Sequence, residues 1–279
     1  MVSERELLQW IAARAPIGDD CAVLECPPWG TLLAATDSVI DGVHLRWAEE
    51  GPRALGYKAV ARSMSDVAAM AGEPLWAFLA VCLPSGVTQE QAREVYLGAE
   101  SAGCPMAGGD TAFGPVCYAV ATVLGRAHPK GPVLRSGARE GDWIVVTGAL
   151  GGSLRSGRHA AFEPRVDTAR KLHESFELGA MIDISDGLST DLGHILDASG
   201  VGCRVQAEAI PIHPDSDLQG ALNDGEDHEL LFTMRPDDRL EGFLPGLQRI
   251  GVVQAGPREI IDGSGKSAPL VCGGFEHGR

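Results

Sequence analysis

Aspartates recur in this 279-residue chain where apolar segments stop or glycine stands beside them. The strings are Ile17-Gly18-Asp19-Asp20, Ala35-Thr36-Asp37-Ser38, Met64-Ser65-Asp66-Val67, Gly108-Gly109-Asp110-Thr111 and Ile182-Asp183-Ile184-Ser185-Asp186-Gly187. One such aspartate is ordinarily a turn residue or a helix N-cap. So many in one acidic chain point further. Asp66 is the most informative, because Val67-Ala68-Ala69-Met70 continue an apolar helix past it. A buried carboxylate is costly unless a cation faces it. Lys58 and Arg62 are local candidates for that cation. A shared metal ion explains more positions at once. The ligands on offer are hard oxygens without a His/Cys cluster, which suits Mg²⁺ better than Zn²⁺. Carboxylate-held Mg²⁺ commonly serves phosphates, and Gly108-Gly109 beside Asp110 would let backbone N–H groups approach phosphate oxygens.

The familiar nucleotide signatures are missing. No G-x-G-x-x-G follows a strand pattern, and the protein-kinase set is absent. Gly265-Lys266-Ser267 imitates the end of a Walker A loop, but Ile260 stands where its first glycine belongs. No serine nucleophile elbow or H-E-x-x-H is present.

The elements that must carry these residues alternate. A capping box at Ser3 and Glu6 opens a first helix through Leu7, Leu8, Trp10 and Ile11. Thr31–Thr36 reads as a strand delivering Thr36 and Asp37 at its end. Helical spacing runs from Arg53 to Ala71, a buried strand from Pro74 to Leu83, a helix from Gln89 to Ala102 and a strand from Val116 to Gly125. This alternation describes an α/β layer structure. The Pro, Gly, Lys and Arg of Ala127–Arg139 suggest a connection, giving an expected amino-terminal domain over 1–127 and an α+β domain over 128–279. In the second part, strands are expected at Trp143–Thr147, Ala180–Ile184, Gly202–Ala207, Glu229–Met234 and Arg249–Val253, with a helix over Ser189–Ala198.

Composition narrows the partners. Lys+Arg number 23 against 38 Asp+Glu, a net charge of −15, which repels nucleic acid and anionic membranes. Aromatic residues at 5% leave few platforms for stacking single strands. The seven cysteines include no C-x-x-C pair and lie mostly in apolar runs, as reduced thiols of a cytoplasmic protein do. No leader pattern opens the chain, and its longest apolar stretch falls short of the roughly 20 residues a membrane span needs.

Taken in order, these motifs resemble the thiamine-monophosphate kinase family. They are Gly18-Asp19-Asp20-Cys21-Ala22-Val23, Thr36-Asp37 with Gly42-Val43-His44, Tyr57-Lys58-Ala59 through Ser65-Asp66-Val67-Ala68-Ala69-Met70, and Gly108-Gly109-Asp110-Thr111. Arg135-Ser136-Gly137-Ala138 with Gly141-Asp142 follows, then Ile182–Leu188 with Asp191-Leu192-Gly193-His194, and Gly225-Glu226-Asp227-His228-Glu229-Leu230. The resemblance runs from about residue 17 onward. It implies the aminoimidazole-ribonucleotide-synthetase-like fold, with an amino-terminal domain that pairs in a homodimer. It implies transfer of the γ-phosphoryl group of ATP to thiamine monophosphate with several Mg²⁺ ions. Carried over by position, Asp20, Thr36, Asp37, Asp66, Asp110, Asp183 and Asp186 would be metal ligands. Gly109, Asp110, Arg135 and Ser185 would contact ATP, and His44, Glu226 and Phe275 the thiamine substrate. No dedicated general base is implied, because the phosphate acceptor is already ionised; Asp66 and Asp110 would matter most.

Some positions depart from the family pattern. Asn223-Asp224-Gly225-Glu226 stands where Gly-Gly-Glu is usual, adding an acid. Ala112-Phe113-Gly114-Pro115 replaces Thr-Arg-Gly-Pro, removing a positive charge, and Ser153–Ala180 is shorter than usual. The rival readings are a sister enzyme of the superfamily, such as aminoimidazole ribonucleotide synthetase, and a non-catalytic Mg²⁺/nucleotide sensor. Selenophosphate synthetase is disfavoured because the first cysteine is Cys21, and the hydrogenase-maturation dehydratase because the chain ends Glu276-His277-Gly278-Arg279.

Overall fold

The computed structural model describes residues 18–26 and 30–275. The expected helix over residues 3–11 lies outside them. Two compact units interleave along the chain: an amino-terminal unit of 23–132 with 157–170, and a carboxy-terminal unit containing 18–22, 133–156 and 171–275.

In the amino-terminal unit, β1 (Ala22–Glu25), β2 (Thr31–Ile40), β3 (Glu73–Pro84), β4 (Met106–Gly114) and β5 (Tyr118–Arg126) form one sheet in the order β1-β2-β5-β3-β4. β2, β5 and β3 pair antiparallel, and β4 joins β3 in parallel. Helix α1 (Trp47–Ala69), broken at Gly51 and resumed at Pro52, packs on this sheet, and α2 (Gln89–Ser101) packs against α1. Period-2 alternation turns Leu33, Ala35 and Val39 of β2, Ala119, Ala121 and Val123 of β5, and Ala77, Leu79 and Val81 of β3 into the core. α2 starts at a capping box in which Thr88 and Gln91 satisfy each other's backbone N–H groups.

One expectation for this unit changes. β2 does not end at Thr36 but runs to Ile40, so Asp37 lies mid-strand. An acid is tolerated there because Arg62 of α1 stands 3.5 Å away. Gly108-Gly109-Asp110-Thr111, to which the sequence reading assigns no element, is an edge strand held by main-chain pairing with β3.

The carboxy-terminal unit contains β6 (Trp143–Val146), β7 (Leu178–Asp183), β8 (Gly202–Gln206), β9 (Leu230–Met234), β10 (Gln248–Gln254), β11 (Arg258–Ile261) and β12 (Ser267–Pro269) in the order β12-β11-β8-β10-β6-β9-β7. A short helix α3 (Ser153–Ser156) follows the glycine turn after β6, and α4 (Val166–Ser175) is divided between the two units. Helix α5 (Leu188–Ser199) lays Leu192, Ile195 and Leu196 against Ile144, Val146, Val205 and Leu231 of the sheet. A small helix, α6 (Leu218–Asn223), precedes the acidic string that leads into β9. Gly265-Lys266-Ser267 lies at the turn from β11 into β12, where Asp262 accepts from Ser264 and Lys266, so no helix follows it to make a phosphate loop.

Cys21, Cys82, Cys104, Cys117 and Cys203 are buried, Cys26 is half-buried and Cys272 exposed, all as free thiols. Among the described residues no helix is long and apolar enough to cross a membrane.

Candidate active site

In the amino-terminal unit, strand alternation separates two adjacent candidates. The Thr36 hydroxyl bonds Thr122 Oγ1 at 2.9 Å on the exposed side of the sheet. The Asp37 carboxylate turns to the helix side and meets Arg62. Thr36 could therefore share an ion with the Asp37 side chain only through its own carbonyl. Arg62 also donates to the Ser38 carbonyl at 3.1 Å. Lys58 is fully buried, with Nζ bonded to the His44 carbonyl and 2.9 Å from His159 Nδ1. His159 continues that chain to Glu50 at 3.3 Å. Asp66 is half-buried on α1 between buried Ser65 and Val67.

His44, expected to touch substrate, is buried in the Asp41–Leu45 turn, and its Nδ1 accepts the Ile40 N–H at 3.1 Å. Asp110 is exposed on the edge strand. Gly109 before it is required sterically, since a Cβ would come within 1.9 Å of the Leu79 carbonyl oxygen.

The carboxy-terminal unit gathers more charge. Arg135 grips Asp20 through Nε at 3.2 Å and Nη2 at 3.0 Å, and its backbone N–H donates to Asp19 at 2.7 Å. Burial pushes the Asp20 carboxyl up to about 6; Arg135 opposes that shift, and Asp183 and Asp19 reinforce it. Carboxylate oxygens of Asp20 and Asp183 lie within 4.8 Å of one another. One guanidinium thus faces several acids, and burial still disfavours the charge on Asp20. An all-oxygen donor set of this kind fits Mg²⁺, which would relieve that disfavour.

Asp183 arrives at the end of β7 opposite Leu230 of β9. The turn that follows wraps around Asp191 of α5, whose Oδ2 accepts the backbone N–H groups of Ser185, Asp186 and Gly187, each at 3.1 Å. Burial raises the Asp191 carboxyl well above the usual range, with Asp186 and Asp183 adding to the effect. Asp186 groups with Asp191 and His194, their ligand atoms all within 4.8 Å.

The string Asp224-Gly225-Glu226-Asp227-His228-Glu229 divides its side chains between two tasks. Asp224 and Asp227 accept the N–H groups of Gly152 and Gly151 at 2.9 and 2.7 Å, and Glu229 accepts the Thr147 hydroxyl at 2.6 Å. These three fix the glycine turn after β6. His228 turns instead toward Asp183, and Glu226 toward His228. His228 Nδ1 lies 3.1 Å from Asp183 Oδ2 and Nε2 lies 3.1 Å from Glu226 Oε2. Burial disfavours the imidazolium, but these two hydrogen bonds and the carboxylate charges outweigh it and hold the His228 pKa above the usual range.

Beside this layer opens a cavity of about 560 Å³, lined among others by Arg155, Asp217, Asn223, Asp224, Gly274 and Phe275. The Phe275 N–H donates to the Asp186 carbonyl at 2.9 Å, seating the aromatic residue at the cavity edge. Gly274 lets the segment lie so close, since a Cβ there would stand 2.0 Å from the same carbonyl oxygen. A cleft bounded by acids, one arginine and one aromatic ring suits a flat cationic ligand. Sequence reasoning reads Asp191 as a cap, which its three backbone bonds bear out, and Asp224 as an extra acid near the substrate; it missed the partners of His228. The only signal for His228 is its place in the string Gly225–Leu230.

Residues 18–127 match the family model described as AIR synthase related protein, N-terminal domain. Fold and acid-lined site together define the chain as a protein of the AIR synthase-like class. Similarity extends to curated thiamine-monophosphate kinases: that of Rhodopirellula baltica is 41% identical over 245 residues, covering 80% of this chain and 76% of the relative. That of Escherichia coli K12 is 34% identical over 259 residues, covering 78% and 75%. The structure of AaThiL complexed with AMPPCP and TMP superposes with a TM-score of 0.87 at 29% identity, covering 99% of this chain and 97% of that one. The hydrogenase-maturation HypE–HypF complex, at 17% identity and a TM-score of 0.78, shares the fold alone. The chain belongs to the thiamine-monophosphate kinase family.

Proposed function

We infer that this chain phosphorylates thiamine monophosphate with ATP, forming thiamine diphosphate and ADP. The observation that carries the reading is near-complete structural correspondence with a relative complexed with AMPPCP and TMP, in a chain that also shares 41% identity with a curated thiamine-monophosphate kinase.

The acceptor phosphate is ionised at neutral pH, so the reaction asks the protein for alignment and charge neutralisation rather than a general base. In the amino-terminal unit the proposed metal ligands are Asp37, Asp66, Asp110 and, through its carbonyl, Thr36. In the carboxy-terminal unit they are Asp20, Asp183 and Asp186. Bound Mg²⁺ supplies neutralisation of the phosphate oxygens. Gly109 and Ser185 offer backbone and hydroxyl contacts to ATP, and Arg135, already fixed by Asp20, presents its remaining N–H groups. Glu226 would answer the cationic thiazolium or the aminopyrimidine, and Phe275 would stack on a ring. His44 remains a proposed substrate residue, acting from a buried turn.

A homodimer formed through the amino-terminal unit is part of this proposal. Trp76, Phe78, Tyr118 and Ile40, on the sheet face turned away from α1, are 50, 38, 37 and 40% exposed. A cytoplasmic location fits the free thiols.

The test is product analysis by ion-pair chromatography after incubation with ATP, Mg²⁺ and thiamine monophosphate. Equal amounts of ADP and thiamine diphosphate, abolished by EDTA, are expected. Mg²⁺-dependent ATP binding without diphosphate would overturn the reading and favour a sister enzyme or a sensor, to be separated by trying other acceptors such as formylglycinamidine ribonucleotide.

A further inference from the structure

His228 stands between the two carboxylates that the proposed reaction uses on this side, one for metal and one for acceptor. Its ring is 2% exposed, and each nitrogen has a carboxylate oxygen 3.1 Å away. The backbone makes room for this arrangement at a cost. Glu226 and His228 adopt φ values of 67° and 51°, a left-handed conformation uncommon outside glycine. Main-chain bonds from Glu226 N to the Ser185 carbonyl and from His228 N to the Ile184 carbonyl, both 2.8 Å, hold them in it. Along these left-handed steps His228 faces Asp183 and Glu226 faces His228, while Asp227 and Glu229 serve the glycine turn.

We propose that His228 is a positioning residue for phosphoryl transfer, a rigid spacer that fixes the metal-side carboxylate of Asp183 and the acceptor-side carboxylate of Glu226 in one register. The proposal rests on the functional reading above. An imidazole is planar and carries two nitrogens at a fixed separation, so it sets both the distance and the orientation of whatever it bonds. A carboxylate pinned at one oxygen keeps the other aimed, and outer-shell partners of metal ligands act in this way.

The two ring nitrogens can be tested separately on the full-length protein. An Asn amide nitrogen occupies the place of Nδ1, so His228→Asn keeps the Asp183 bond and loses the Glu226 bond. A Gln amide nitrogen reaches the place of Nε2, so His228→Gln does the reverse. Mn²⁺ binding followed by electron paramagnetic resonance reads the Asp183 side; calorimetric binding and KM for thiamine monophosphate read the Glu226 side. For His228→Asn, affinity for thiamine monophosphate should fall at least about tenfold while Mn²⁺ affinity stays within about twofold. For His228→Gln, Mn²⁺ affinity and kcat should fall at least about tenfold while KM for thiamine monophosphate stays within about threefold. Parallel loss of both readouts in both variants, or loss of neither, would mark His228 as a core residue only and overturn the proposal.

Asn accepts a left-handed φ more readily than Gln, so His228→Asn decides alone if His228→Gln fails to fold. Unchanged affinity for thiamine monophosphate in His228→Asn then overturns the proposal. If the wild-type chain neither binds nor phosphorylates thiamine monophosphate, the functional reading has failed. The Mn²⁺ contrast between the variants still decides whether His228 positions Asp183.

Discussion

The Arg135 guanidinium and the Asp20 carboxylate form a two-point fork, at 3.2 and 3.0 Å, with the acid almost wholly buried. The fork joins residues 115 positions apart in the sequence. It leaves Arg135 fixed in direction, with nitrogen donors to spare for an anion.

Arg135→Ala should therefore cost stability as well as activity. It strands a buried carboxylate beside Asp183 and Asp19, and breaking such a pair from one side costs about 2–4 kcal/mol when the lost partner is only partly exposed. Urea unfolding without Mg²⁺ should show that loss, and added Mg²⁺ should return part of it, because a cation replaces the missing charge. Arg135→Lys should recover less than full stability, since an ammonium cannot make the fork. Unfolding at the wild-type urea concentration in Arg135→Ala would remove the fork from the account of this site.

The glycine turn after β6 offers a test of a quieter role. Asp227 is buried, and its Oδ2 takes the Gly151 N–H at 2.7 Å. Asp227→Ala removes that buried acceptor, at a cost of about 1–3 kcal/mol. Asp227→Asn keeps an acceptor oxygen and should lose much less. Thermal unfolding of the pair measures the difference, and equal midpoints would show that the turn does not depend on this bond.

How much of this was legible in the sequence depended on whether the signal was local. The helix over Gln89–Ser101 and the strands β3 and β5 showed themselves through apolar spacing, and the strings around Asp20 and Asp183 come together in the fold with carboxylate oxygens within 4.8 Å. β4 was illegible as a strand because Gly108-Gly109-Asp110-Thr111 has no apolar alternation; its pairing with β3 supplies what the residues lack. The length of β2 was hidden for the opposite reason. Asp37 looks like a strand end until Arg62, 25 residues later, is seen to face it. His228 could be noted as part of a motif, but its partners depend on two left-handed residues that are not glycine, and no spacing rule announces those.

Cysteine chemistry separates the exposed carboxy-terminal segment from the cores. Burial pushes the thiols of Cys104, Cys117 and Cys203 up to about 11, so at pH 8 only about one in a thousand is thiolate. Cys272 is exposed and immediately precedes the Gly273–Phe275 stretch that lines the cavity. Iodoacetamide at pH 8 should label Cys272 before those three, and labelling of the others should rise as pH approaches 11. Thiamine monophosphate should slow the Cys272 reaction by ordering its neighbours. Mass mapping of the labelled peptides checks both points, and indifference to that ligand would argue against the cavity as acceptor site.

Phe275 is 49% exposed, while its backbone N–H is tied to the Asp186 carbonyl. Phe275→Ala removes the ring without touching that bond. KM for thiamine monophosphate should rise about tenfold, corresponding to roughly 1.4 kcal/mol of lost contact, with kcat within about twofold. An unchanged KM would retire Phe275 as a substrate residue.

Asp110 gives the cleanest separation of chemistry from folding. It is exposed on edge strand β4, where the flanking residues from Ala107 to Phe113 are exposed as well. Substituting Asn there keeps size and shape and should move stability by no more than about 0.5 kcal/mol. Asp66 is half-buried in α1, so Asp66→Asn also changes the electrostatics of a packed helix and its unfolding midpoint is free to move. If both carboxylates hold metal for phosphoryl transfer, each variant should lose at least about a hundredfold in kcat, comparable to removing one electrostatic stabiliser of a transition state. Asp110→Asn should do so with a wild-type melting curve. Wild-type turnover in both purified variants would sink the shared-metal account. Loss in Asp66→Asn alone would assign the effect to the helix and leave Asp110 as a surface acid.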